Sequence, residues 1–210
     1  MSDLDDDREV RLILLKRMMS LLGWGGWPWV LALAAVVVSL PALSVPPLND
    51  DYVQRAMLVG SSPGAQIGLV AAEPARLRTA LADLLVAVDP DRNLQPLRMY
   101  GALPWWTCDD YRVAFWRPLA SLTHWLDYRL FPQSFTWMHL HSILWYAAAV
   151  LAVAVLYRRL IDVTWVAGLA GLLFVLSDDG YFPTMWVANR NLLMSMVFGV
   201  LAIIALWAII

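Results

Sequence analysis

Residues 27–45 read WPWVLALAAVVVSLPALSV, a run without a charge that ends against Pro46-Pro47 and is followed by Asn49-Asp50-Asp51-Tyr52. A bilayer core needs about 20 apolar helical residues to cross it, so this stretch predicts a membrane span with an acidic pair at its mouth. Working outward, residues 135–157, 163–176 and 192–210 have the same character. The third of these four is short. At about 1.5 Å per residue it reaches about two thirds of the hydrocarbon thickness, so its end near Ser177 is expected in a water-accessible cavity, with Asp178 and Asp179 below the membrane surface.

Composition agrees with that reading. Hydrophobic residues make up 60% of the chain, against roughly 45–50% in soluble domains. With 17 acidic and 15 basic residues the net charge is -2, and the basic residues form no nucleic-acid footprint; nucleic acid is set aside as a partner. One cysteine, Cys108, excludes an intrachain disulfide and a cysteine-based metal cage. Among the 12 tryptophans, Trp24, Trp27, Trp29, Trp105, Trp106 and Trp116 suit a membrane-interface belt. The acidic start at Asp3, Asp5, Asp6 and Asp7 lacks the basic region of a cleavable signal peptide.

The expected fold is an all-α integral membrane protein with about four transmembrane helices and a long extracytoplasmic loop carrying amphipathic helices. Residues 1–26 form the cytoplasmic N-terminus with an interfacial helix at 10–22, residues 27–45 the first span, 46–134 the loop, and 135–210 the remaining spans. Orientation follows from Arg8, Arg11, Lys16 and Arg17 before the first span and Arg158-Arg159 in the tight turn between the second and third. A bacterial inner membrane is the expected location. The last apolar run carries no polar tail, which suggests a piece of a larger polytopic protein.

Within the loop, Glu73-Pro74 opens a helical pattern in which Leu77, Leu81, Leu84, Leu85 and Val88 share a face, closed by Asp89-Pro90. Leu119, Leu122, Leu126 and Leu130 repeat it after Arg117-Pro118. Both predict amphipathic helices lying on the membrane or against the spans.

Asp50 and Asp51 are the first candidates for chemistry: neighbouring carboxylates raise each other's pKa, and one can act as general base while the other orients it. The plainer alternative is a helix cap for 52–58 by Asn49 or Asp50. Asp109-Asp110 has the same look and reads more simply as a solvated turn. Arg117 suits a phosphate or carboxylate, or snorkels to lipid headgroups. His139 and His141 lack the companions of a metal motif; hydrogen-bonding at a helix interface is the better reading, with His139 lining a cavity. Asn189-Arg190-Asn191 stands at the entrance of the last span, where an arginine is a functional hypothesis by default; its plainer reading is an ion pair with Asp178 or Asp179. Acids to activate a hydroxyl and arginines to hold a phosphate, all on one membrane side, describe transfer from a lipid-phosphate donor.

The order of these motifs, Asn49-Asp50-Asp51-Tyr52, then Phe115-Trp116-Arg117-Pro118-Leu119, Trp137-Met138-His139-Leu140-His141-Ser142 and Trp186-Val187-Ala188-Asn189-Arg190-Asn191, resembles polytopic GT-C glycosyltransferases. The nearest likeness is to protein O-mannosyltransferase-related membrane proteins, including those with tetratricopeptide repeats. The resemblance implies a sugar moved from a polyprenyl-phosphate donor to a protein or glycan acceptor by inverting displacement. Asp50 would be the general base, Asp51 its support, and Arg117 and Arg190 the donor-phosphate ligands, with His139, Asp178, Asp179 and Asn189 lining the cavity. No cofactor is implied and a divalent metal is left open. The family commonly has Asp-Glu where this chain has Asp-Asp, and many more spans. Two rivals stand beside it: a non-catalytic membrane scaffold or accessory subunit, and a transporter, which is disfavoured because no span has a midplane Gly/Pro break.

Overall fold

The computed structural model describes residues 2–66, 68, 70, 73–83 and 86–209, with the backbone alone for 2–7, 62, 64, 83, 178 and 179. In chain order the helices are α1 (Ser2–Gly23), α2 (Trp27–Ser39), α3 (Asp50–Val59), α4 (Ser62–Gln66), α5 (Leu77–Asp83), α6 (Leu94–Met99), α7 (Pro118–Leu130), α8 (Phe135–Leu160), α9 (Thr164–Val175), α10 (Asp178–Met185) and α11 (Arg190–Trp207). Two short strands, β1 (Val86–Val88) and β2 (Val113–Ala114), pair antiparallel. The chain divides into two compact units: Met1–Leu43, Leu140–Met185 and Leu192–Ile210 form one, Ser44–His139 and Trp186–Asn191 the other.

Three stretches of helix are long and apolar enough to cross a membrane, Trp27–Ser44, Phe135–Leu160 and Val187–Trp207. The segment expected as a further span is α9, whose 12 residues extend only about 18 Å at 1.5 Å per residue, well short of a hydrocarbon core of about 30 Å.

In the first unit Leu31 and Ala35 of α2 pack with Tyr146, Val150 and Ala154 of α8, Val175 of α9 and Leu193 of α11. Small residues let the helices approach closely. A Cβ on Gly168 would stand 2.1 Å from the Leu22 carbonyl oxygen, and the Trp27 indole N–H donates to the Gly168 carbonyl at 3.1 Å. Because the obstacle is backbone, Gly168→Ala is expected to destabilise the protein by about 1–3 kcal/mol. The thermal midpoint in detergent measures this; an unchanged midpoint would remove the close approach from the account.

The Arg158 guanidinium donates to the carbonyls of Gly23 at 2.8 Å and Gly25 at 3.0 Å, and to that of Trp24. A cation at the carbonyl end of α1 is favourable, since those carbonyls have no partner within the helix and carry the negative end of its dipole. Helix α1 itself begins at Ser2, earlier than the interfacial helix expected at 10–22, and leaves Leu12, Leu14, Leu15, Met18 and Leu21 exposed.

The second unit is built round Leu58, Ala80, Tyr128, Met138 and Val187, with Met57, Ala75, Trp125 and Phe135 packed against them. Here one expectation needs correcting. The helical stretch expected from Glu73-Pro74 to Val88 is shorter: the helix begins at Leu77 and ends at Asp83, and Val86-Ala87-Val88 is a strand with its valines buried and Ala87 exposed. β-branched residues alternating with a small one suit a half-buried strand. Leu84 and Leu85, which the helical pattern used, lie outside the described residues.

Helix α7 forms where Pro118 and the leucine spacing placed it, with Ala120, Ser121, Thr123, His124, Asp127 and Tyr128 buried and Leu119, Leu126 and Leu130 exposed. The polar stripe has the same three-and-four spacing as the leucines, so period alone did not decide which face turns inward.

Candidate functional site

The acidic pair opens α3, and its two members part company there. Asn49, one residue before, has φ 38°, the one positive value at a non-glycine among the described residues. Such a conformation costs on the order of 1–3 kcal/mol and persists where the surroundings over-determine it. Asn49 makes no side-chain cap. The Asp51 carboxylate instead turns back, accepting the Leu48 N–H at 2.9 Å through Oδ2.

Its other oxygen, Oδ1, accepts the Ala188 N–H at 2.6 Å. Asp51 is 1% exposed, and burial holds its carboxyl above the usual carboxylate range; the bonds from Leu48 and Ala188 and the charge of His139 offset part of that. The Tyr128 hydroxyl donates to the Asp51 carbonyl at 3.3 Å, and burial, with the Asp51 charge next, pushes that phenol upward.

Arg190 lies in the same buried layer. It is fully buried, with Nη1 2.5 Å from Asp127 Oδ2 and Nη2 donating to the Met138 carbonyl at 2.8 Å. Arg190 is thus ion-paired with Asp127 of α7; the side chains of Asp178 and Asp179, its expected partners, lie outside the described residues. His139 is also buried, its Nε2 3.1 Å from the Val45 carbonyl. It braces the exit from the first span and does not line the cavity described next, because its ring points at backbone.

In front of this layer is a cavity of about 420 Å³ whose wall includes Asp50, Phe115, Arg117, Trp186, Asn189 and Asn191. The Arg117 guanidinium sits over the Phe115 ring, 4.6 Å from its centroid, a placement that keeps a cation exposed yet oriented. Asp50, Arg117 and Asn189 thus share one cavity wall, whereas Asp51, Arg190 and His139 are enclosed in the protein. A second cavity of about 550 Å³ has Met57, Val70, Val86 and Asn93 in common with the first. Asp109, the other acidic candidate, is 90% exposed in its side chain and pairs with Arg98 at 2.7 Å.

The arrangement offers a carboxylate, a guanidinium and four carboxamides, those of Gln54, Asn93, Asn189 and Asn191, to one space, enough to accept a proton and to bind an anion. Sequence reasoning missed Asp127 and Tyr128, although the polar stripe through His124, Asp127 and Tyr128 was a signal for them. Asn191 was quoted and given no role. Among the described residues no group of three or more His, Cys, Asp or Glu could hold a metal ion. No protein-family model, no curated protein and no solved structure matches the chain.

Proposed function

We propose that this protein is a membrane glycosyltransferase of the GT-C type, moving a sugar from a polyprenyl-phosphate donor to an extracytoplasmic acceptor. The observation that supports it best is the shared cavity wall of Asp50, Arg117 and Asn189. In this reading the acceptor hydroxyl oxygen attacks the anomeric carbon from the face opposite the phosphate. Asp50 takes the hydroxyl proton, the bond from the anomeric carbon to the phosphate oxygen breaks, and the polyprenyl phosphate leaves with its charge met by Arg117. Asp51 and Arg190 contribute indirectly, by holding the backbone that presents Asn189 and Asn191.

The test is purified protein in nanodiscs supplied with radiolabelled polyprenyl-phosphate hexoses, mannose first, and assayed for polyprenyl phosphate release. Arg117→Ala is expected to raise the donor KM about 10- to 100-fold, the range for losing a charged hydrogen bond. An unchanged KM would take Arg117 out of the donor site; no release from any hexosyl donor would sink the transferase reading.

A non-catalytic scaffold is the second reading, and one observation favours it. Asp127 and the Met138 carbonyl engage Arg190, and backbone amides engage Asp51, so two of the four charges proposed for chemistry have structural employment.

A further inference from the structure

A helix that turns its polar face inward and its leucines outward is built for a non-aqueous neighbour. On α7, Leu119, Leu126 and Leu130 are 43%, 40% and 66% exposed, and Trp116, just before the helix, is 83% exposed. The opposite face is closed by Tyr128 in the core and Asp127 on Arg190, so the leucine face cannot rotate inward without breaking a buried ion pair.

What covers it follows from what the helix runs into. Helix α7 ends at Leu130 and α8 begins at Phe135, a helix long and apolar enough to cross a membrane. Within the second unit aromatic rings bracket the link: Phe131 stacks on Trp137 with centroids 5.5 Å apart, and Tyr128 meets Phe135 edge-on at 6.2 Å. Phe131 and Trp137 are themselves partly exposed, and aromatic rings favour the headgroup boundary. We infer that the leucine face of α7 lies in the membrane interface, covered by lipid, with its axis along the surface and Trp116 at the headgroup level.

This surface is independent of whether the cavity performs any transfer. It has a consequence for the cavity all the same: Arg117 is both the residue that leads into α7 and part of the cavity wall, so an interfacial α7 holds the cavity at headgroup depth. A ligand reaching Arg117 can then keep an apolar chain in the bilayer while its anionic head enters.

Spin labelling of the full chain in nanodiscs tests the inference. In a Cys108→Ser background, which removes the one native thiol, nitroxides are placed singly at Leu119, Leu126 and Leu130, with Asp91, an exposed loop residue, as the aqueous control. Expected is a collision rate with dissolved oxygen exceeding that with a water-soluble nickel chelate at all three leucine positions, and the reverse at Asp91. Dominance of the nickel chelate at the leucines would place the face in water. Low access to both reagents would mean that protein covers it. Either outcome overturns the inference, and any two of the three positions suffice if one labelled variant does not fold.

Discussion

Replacing Arg190 by alanine should destabilise the protein by about 3–5 kcal/mol, the range for breaking a buried ion pair from one side. Arg190 is fully buried against Asp127 and the Met138 carbonyl; without it a carboxylate that is itself 5% exposed loses this ion pair in the interior. Arg190→Met with Asp127→Asn should recover much of the loss, because the second change removes the stranded charge. The thermal midpoints of the single and double variants in detergent measure the coupling. Were Arg190 a ligand of the donor phosphate instead, Arg190→Ala would keep its midpoint and lose donor affinity, so one pair of measurements separates the framework role from the binding role.

Asp50→Ala should reduce transfer about 10²- to 10⁴-fold, the usual contribution of a positioned general base, with insertion and midpoint unchanged, since Asp50 is exposed at the cavity. Asp51 should behave in the opposite sense. Asp51→Ala strands the N–H groups of Leu48 and Ala188, at about 1–3 kcal/mol for each buried donor left unmet. Asp51→Asn keeps one acceptor and sheds the charge. Because burial raises the Asp51 pKa, its contribution to stability is fullest below the unfolded carboxyl pKa and is lost as pH rises through the folded value. The wild-type midpoint should therefore show a decline across that window that Asp51→Asn lacks. Loss of transfer in Asp51→Asn with a normal Asp50→Ala enzyme would move the base to Asp51.

The membrane helices were legible because an uncharged run of span length has few other solutions. The candidate cavity was legible in part, since Asp50, Arg117 and Asn189 all sit next to Pro breaks or span entrances where polar side chains collect. On α7 the leucine stripe was legible as one face of an amphipathic helix, but the burial of Asp127 on the opposite face depends on a partner, Arg190, 63 positions further on, which local spacing does not carry. At β1 the helical spacing through Leu77 and Leu81 continued into Val88 by coincidence of period, and pairing with β2, which sets Val86 against Ala114 28 positions further on, is a long-range preference that local spacing does not carry.

The hydrogen bond from Ala188 to Asp51 joins residues 137 positions apart. At ribosomal rates of about 5–20 residues per second, Asp51 leaves the ribosome on the order of ten seconds before its second donor is made. Through that interval the carboxylate is kept by water and by Leu48 alone, and Asn189 and Asn191 do not yet exist to face Asp50. The cavity is thus completed only when α11 begins to emerge.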